Sequence, residues 1–284
     1  MFKLLDIVPD GLRPSFAIVD IGAADLGPGT DPYHALLAYE NVTVFGFEPN
    51  QEKCRQRNAD APRGRKYFPQ FVGDGSRRVF HATQNPFTSS LYRPDDGVLS
   101  CFQRMDLPVV ATEEVDTVRL DDVAEIGAVD FLKIDVQGAE LDVLRGAGRI
   151  LSNTLVIHTE VEFIPIYASQ PLYSDIDVFL RGHGFLLHKF IDVFSRQMKP
   201  MVFNGDLFAK GSQVIYAEAA VFARNFHSVG QMSDGDLLKT ACIMHDVYGS
   251  YDFTGYLLHA LDQRNNTSLL QRYIDRFNSQ NCGA

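Results

Sequence analysis

Phe16-Ala-Ile-Val-Asp20 runs straight into Ile21-Gly22-Ala23-Ala24-Asp25-Leu26-Gly27-Pro28-Gly29, and the next apolar run, Val42-Thr-Val-Phe-Gly-Phe47, stops at Glu48-Pro49. Two short apolar runs separated by a glycine-rich turn and a longer stretch read as strand, crossover and parallel strand. In the crossover, Asp31 can cap and Pro32 can open a helix running to about Glu40. A polar helix is expected from about Asn50, then a strand near Tyr67–Val72. The rhythm returns later: strand Val129–Ile134, helix Gly138–Leu151, strand Thr154–Val161, helix Tyr173–Arg181 and strand Phe185–Ile191. Asp192–Ser212 has no helical period and contains Pro200, Gly205 and Gly211, so the last strand, Val214–Ala223, should return antiparallel after a long hairpin-like connection. The fold class is α/β, a Rossmann-like and mostly parallel sheet.

Residues 75–128 interrupt the pattern with short strand-like pieces, Arg78–Thr83 and Val115–Leu120, and the irregular stretch 84–108 reads as a lid. From Ser233 onward the pattern is helical only. Leu237, Leu238, Ala241, Cys242 and Tyr248 suit one helix; Leu269, Leu270, Tyr273, Ile274 and Phe277 suit another, capped near Thr267. The organisation expected is a main domain over 1–227 and a helical extension over 228–284, packed on the main fold or on a second copy in a homo-oligomer.

Composition narrows the function classes. At 284 residues, folding removes roughly 75% of the chain's surface from water, so no disulfide or metal staple is required for a core. The longest unbroken apolar runs are five residues, against the ~20 of a spanning helix. Asp6 and Pro9 interrupt any secretory apolar region near the start. The expectation is a cytoplasmic protein with no membrane partner. With 26 basic against 36 acidic residues, a net charge of −10, nucleic acid is not the expected partner either. Cys54, Cys101, Cys242 and Cys282 form no CxxC pair and read as reduced, structural thiols.

In open α/β sheets, ligands bind beyond the carboxyl ends of the strands. Here those ends carry Asp20, Glu48, Gly73-Asp74, Asp135 and Glu160. Glu48 stands where an acid accepts hydrogen bonds from both ribose hydroxyls of a nucleoside. Glycines at 22, 27 and 29 miss the G-x-G-x-x-G pattern that a pyrophosphate requires. A sulfonium nucleoside has no phosphate and carries a cationic amino group suited to Asp20, which favours S-adenosylmethionine over NAD. The expected cofactor set is Asp20, Gly22, Ala23, Glu48, Pro49, Gly73, Asp74 and Asp135, with Asp74 at the adenine amino group.

Val19-Asp-Ile-Gly-Ala23, Gly46-Phe-Glu-Pro49, Ser89-Ser-Leu91, Leu120-Asp-Asp122, Phe131-Leu-Lys-Ile-Asp-Val-Gln-Gly-Ala-Glu140 with Leu144-Arg-Gly-Ala147, Glu160-Val-Glu-Phe163 and Gln170-Pro-Leu172 follow one another in this order. Together they resemble the FkbM-type S-adenosylmethionine-dependent methyltransferases over roughly residues 15–225. The stretch around Asp135 is the most specific. The resemblance implies a class I methyltransferase fold, a seven-stranded sheet with an antiparallel seventh strand, and O-methylation of a sugar, glycan or secondary-metabolite hydroxyl. One departure stands in the first loop: the family's second glycine falls six residues after the aspartate, where this chain has Leu26 followed by Gly27 and Pro28.

Alternation along a strand puts Lys133 and Asp135 on one face, and His158, Glu160 and Glu162 on one face of the next. Asp135 and Glu160 are therefore the candidate catalytic pair, as a general base or around a divalent ion, with the metal-free form preferred because Lys133 competes for the carboxylates. His158 reads as a satisfied core histidine. The acceptor should lie between the 84–108 loop, Phe163–Tyr173 and the 192–213 connection, with Phe163, Tyr167 and Tyr173 as flat surfaces or as core. An NAD-dependent oxidoreductase and a non-catalytic interaction module with this fold are the alternatives.

Overall fold

The structure, a computed structural model, describes residues 2–23 and 29–281. Leu26, Gly27 and Pro28 of the first loop, and Cys282, lie outside them. In chain order the elements are β1 (Phe16–Ile21), β2 (Val42–Phe47), α1 (Gln51–Ala59), β3 (Arg65–Phe68), β4 (Phe71–Val72), β5 (Arg77–Thr83), α2 (Asp96–Leu99) and β6 (Val109–Val118). They continue with β7 (Phe131–Ile134), α3 (Glu140–Arg145), α4 (Gly148–Leu151), β8 (Val156–Glu162), α5 (Tyr173–Gly182), β9 (Phe185–Arg196), β10 (Gln213–Arg224), α6 (Asp234–Asp246), α7 (Tyr251–Asn265) and α8 (Leu269–Asn281). Seven strands form one sheet in the order β3-β2-β1-β7-β8-β10-β9, with β10 antiparallel to both neighbours and the other strands parallel. This is the expected mostly parallel sheet with an antiparallel last strand. A second sheet, β4-β6-β5, stands beside it.

Four local expectations are corrected. Residues 31–40 form only a five-residue 3-10 helix, His34–Ala38, and Asp31 supplies a backbone carbonyl rather than a side-chain cap. Tyr33, Leu36 and Tyr39, three residues apart, all point into the core, and a three-residue turn is what aligns them. The strand expected at Tyr67–Val72 breaks at Pro69-Gln70 into β3 and β4, which belong to different sheets. The helix expected at Gly138–Leu151 breaks at Gly146, where any Cβ would run into the carbonyl oxygen of Gly73. The tail holds three helices instead of two: Tyr248 lies past the end of α6, and α8 is capped by Asp262 of α7, whose carboxylate accepts the Leu269 and Leu270 N–H groups (2.8 and 2.9 Å).

The two faces of the sheet are covered differently. Val19, Ile21, Leu132, Ile134 and Ile157 pack under α3, α4 and α5. Phe16, Ile18, Val44, Phe131 and Val156 share one core with Phe2, Leu4, the 3-10 helix and α6–α8. The described residues of the crossover after β1 hold only the five-residue 3-10 helix, and the C-terminal helices supply the rest of this layer. Lys239 of α6 holds Asp130 (2.9 and 3.0 Å), which in turn accepts the Ala17 N–H (2.8 Å). Asp246 at the other end of α6 accepts from Tyr39 Oη (2.7 Å) and the Leu4 N–H (3.0 Å).

Candidate active site

Asp20, Lys133 and His158 lie directly opposite one another across β1, β7 and β8, so all three point to the face that the tail covers. Asp20 is buried; Tyr33 Oη donates to its Oδ2 (2.8 Å), and Lys133 Nζ lies 3.2 Å from its Oδ1. Lys133 also sits 3.6 Å from Asp135 Oδ2 and donates to the Gly22 carbonyl (2.9 Å). Burial pulls the Lys133 ammonium down, but the Asp20 and Asp135 carboxylates outweigh it and leave the group above its ordinary pKa. Gly22 has φ +77°, and a Cβ there would run into the Asp135 carbonyl oxygen. The Asp135 N–H donates to the Ile21 carbonyl (3.0 Å). The first glycine turn and the Asp135 turn are thus one interlocked unit.

Beside it, the Ala23 N–H donates to the Phe47 carbonyl (3.0 Å), which sets the first turn against the end of β2. Glu48 is buried at that end. Its Oε1 accepts the Asn50 N–H (2.9 Å), while Asn50 caps α1 through the Lys53 N–H (3.0 Å). Glu48 Oε2 accepts no hydrogen bond from a described residue and is available to a ligand. Pro49 stiffens the step between them. Two further residues close this corner, neither singled out from sequence. Arg57 of α1 donates to the Ala23 carbonyl and to Tyr67 Oη (3.1 Å), with its guanidinium 4.3 Å over the Tyr67 ring. That ring fills the space left by Gly46, where a Cβ would strike it.

Gly73 and Asp74 are not brought to this corner by the third strand of the main sheet. They follow β4: the Gly73 N–H pairs with the Val118 carbonyl (2.9 Å), and Gly73 packs against Gly146 past the far end of α3. The Asp74 carboxylate is engaged within its own turn by the Ser76 N–H (2.9 Å) and hydroxyl (2.5 Å), and these bonds hold its pKa below the usual range. Its turn role is the one the structure displays.

Asp135 and Glu160, from neighbouring strands, do meet at the rim, and Gln137 joins them. Its Nε2 donates to Asp135 Oδ1 (3.0 Å) and to Glu160 Oε2; its Oε1 accepts from Tyr167 Oη (3.3 Å). Gln137 has φ +58°, a left-handed backbone unusual for a side-chain-bearing residue. Ser90 Oγ donates to its carbonyl (2.5 Å), and Tyr167 Oη also donates to the Thr88 carbonyl (3.0 Å), so the 84–108 segment is tied to this turn. Glu140 closes the turn from below, its Oε1 accepting from the Val136 and Gly138 N–H groups (2.9 and 3.2 Å). Burial pushes the Glu140 carboxyl up to about 7. Burial, Asp135, Glu162 and Glu140 together hold Glu160 well above the usual carboxylate range, and burial with Glu140 and Asp135 does the same to Glu162.

His158 stays away from this chemistry. Its Nδ1 pairs with Tyr248 Oη (3.1 Å), and burial reinforced by Lys133 pushes its pKa down to about 4. Tyr167 is fully buried, and Phe163 and Tyr173 pack edge-on against Phe190 (5.5 and 5.2 Å). The segment Phe163–Tyr173 is tied to the 84–108 segment: the Asp95 N–H and Ala168 N–H donate across to the Ile166 and Arg93 carbonyls (2.9 and 2.7 Å). Among the described residues no group of three His, Cys, Asp or Glu side chains is arranged to hold a metal ion.

The sequence profile of the methyltransferase FkbM domain matches residues 20–187, from the first strand-end aspartate to β9. The chain belongs to the FkbM methyltransferase family. This FkbM chain is 32% identical over 183 residues to the 2-O-methyltransferase NoeI of Sinorhizobium fredii, an alignment covering 58% of this chain and 72% of that protein. Among solved structures it is similar to the methyltransferase FkbM from Methylobacillus flagellatus (14% identity, TM-score 0.37), covering 72% of this chain but only 43% of that longer one. It is also similar to the magnesium protoporphyrin IX methyltransferase of Synechocystis with bound S-adenosylmethionine (13% identity, TM-score 0.35, 78% and 76% coverage). These overlaps are too loose to carry an argument about substrate. Family membership makes the chain a methyltransferase that uses S-adenosylmethionine, and the oxidoreductase alternative falls with it.

Proposed function

We propose that this FkbM methyltransferase transfers a methyl group to a hydroxyl of a sugar, glycan or similar small hydroxylated acceptor. The observation that carries the reading is the meeting of Asp135 and Glu160 at one rim, bridged by Gln137, beside a turn that leaves Glu48 Oε2 open. That S. fredii NoeI, a relative at 32% identity, is named a 2-O-methyltransferase supports a hydroxyl acceptor. Glu48 would receive the ribose hydroxyls, with Pro49, Gly22 and Ala23 lining the approach. When bound, S-adenosylmethionine supplies an electrophilic methyl group on a cationic sulfur.

The protein's own part is alignment and proton removal. The 84–108 segment and Phe163–Tyr173 border the acceptor and exclude water. Glu160, its carboxyl raised by burial and by neighbouring acids, is a stronger base than an ordinary carboxylate and is suited to accept the hydroxyl proton. Asp135, paired with Lys133, orients the acceptor and keeps Glu160 basic. We propose no metal in this step, because Gln137 already bridges the two carboxylates. The test is methyl transfer to a panel of hydroxylated acceptors with and without a chelator. Activity should survive the chelator, Glu160→Gln should lose most of kcat, and Asp135→Asn should lose less. Wild-type rates in both variants would sink the assignment.

A further inference from the structure

The connection between β9 and β10, residues 197–212, projects past the carboxyl edge of the sheet. On β10, Tyr216 still pairs with Glu162 of β8, whereas Gln213 lies beyond it and pairs only with Arg196. The tip therefore stands on the rim that carries Asp135 and Glu160. It presents large apolar side chains to water: Phe208 is 64% exposed, Met201 56%, Met198 51% and Phe203 49%. Soluble surfaces scatter such residues singly; a concentration marks a contact surface.

The tip is braced from inside. The buried Gln197 side chain donates to the Asp206 and Ala209 carbonyls (2.8 and 3.2 Å) and accepts the Phe203 N–H (2.5 Å). Arg196 donates to the Phe208 carbonyl (2.5 Å), and the Lys199 N–H donates to the Cys101 carbonyl (2.8 Å). The apolar side chains are thus held outward by a fixed backbone. Around them Lys199, Lys210 and Arg104 are exposed and form no ion pair with a described residue, against two local acids, Asp106, two residues from Arg104, and Asp206, whose Oδ1 accepts the Phe208 N–H (2.8 Å). In a chain of net charge −10 this is a local cationic surplus.

We infer that the 197–212 tip docks on a bilayer surface rich in anionic lipid. Half-exposed side chains of roughly 200 Å² each give the tip about half of the ~800 Å² per partner that a stable protein interface needs. Apolar and aromatic side chains flanked by lysines match an interfacial layer, where the rings enter the headgroup region and the cations meet lipid phosphate. No described helix is long and apolar enough to cross a membrane, so the attachment is peripheral. Short apolar runs speak against a spanning helix and leave a surface contact open, so this docking goes beyond the expectation of no membrane partner. Docking there would present the rim to hydroxyls borne on lipid headgroups; that consequence rests on the proposed hydroxyl reading, whereas the docking itself does not.

The experiment is co-sedimentation of the full chain with vesicles of phosphatidylcholine alone and of phosphatidylcholine mixed with phosphatidylglycerol. The chain should sediment with the mixed vesicles, weakly with the neutral ones, and less as salt rises. Met201→Ser/Phe203→Ser/Phe208→Ser should lower the partition by about tenfold or more, and Lys199→Glu/Lys210→Glu should abolish the preference for anionic vesicles. S-adenosylmethionine binding measured by calorimetry should be unchanged in both variants. Absence of wild-type sedimentation, or equal sedimentation of the apolar variant, overturns the proposal. So does a concentration-dependent dimer that the apolar variant abolishes without any vesicle binding, since a second copy would then cover the tip. Vesicle binding without methyl transfer to any hydroxyl would leave the docking intact and remove the hydroxyl reading.

Discussion

Gln137 shows how one side chain sets the chemistry of two others. A hydrogen bond donated to a carboxylate favours its charged form by roughly 1.5–3 kcal/mol, about one to two pH units. Gln137→Leu should therefore push Glu160 still higher, and the acid limb of the rate profile should move up by that interval. Asp135→Asn removes a negative neighbour that raises Glu160, so its acid limb should move down. Two variants at one rim shifting a limb in opposite directions is a pattern that simple loss of folding does not give; a profile unmoved in both would mean Glu160 is not the titrating base. At the cofactor corner, Glu48→Ala should weaken S-adenosylmethionine binding by about 1.5–3 kcal/mol. Calorimetry on the folded variant reads this directly, and unchanged affinity would locate the nucleoside elsewhere.

Among the elements, the Asp135–Gly138 turn and the α3 that follows it depend on Glu140. Its folded pKa of about 7 lies above the unfolded value near 4.5. Between those values the native chain keeps a proton that the unfolded chain releases, so this contribution to stability is complete below about pH 4.5 and is lost as pH rises through 7. Glu140→Gln cannot titrate but still offers a carbonyl to the Val136 and Gly138 N–H groups. Thermal melts should show a smaller fall in Tm between pH 5 and 8 for the variant than for the wild type, and an equal fall would locate the pH dependence in other groups. The break between α3 and α4 has a different cause, the close approach of the Gly73 carbonyl to Gly146. No helical period could reveal it, because the partner lies on another sheet.

For the whole molecule, the C-terminal helices are half of a core. Leu237, Ala241, Leu257, Leu258 and Leu269 bury against Phe16, Ile18, Phe131 and Val156, at roughly 1.5–3 kcal/mol for each large side chain. For the four leucines together this is roughly 6–12 kcal/mol, as large as the ~5–15 kcal/mol that separates a folded domain from its unfolded chain. Deleting 233–284 should therefore abolish cooperative unfolding and give an aggregate by light scattering, not a smaller enzyme. A monomeric truncation that still melts cooperatively would refute this account of the core.

The strand-end acids, the missing dinucleotide glycines and the parallel rhythm were legible in the sequence, because strand periodicity and turn chemistry are local. They were enough for the fold class, the cofactor and the placing of Asp135 and Glu160 at one rim, because their strands are neighbours in the chain's own order. What depended on distant contacts was not legible. Asp74 reads as a strand-end acid until β3 and β4 separate into two sheets. Arg57 reads as one more charge on a polar helix until it folds over Tyr67 and reaches Ala23. Tyr33 reads as an ordinary helical residue, yet a three-residue turn carries its hydroxyl to Asp20. The tail's apolar stripes demanded a cover, but only the packed molecule decided that it is the bare face of the main sheet, since a stripe records that it must be buried and not against what.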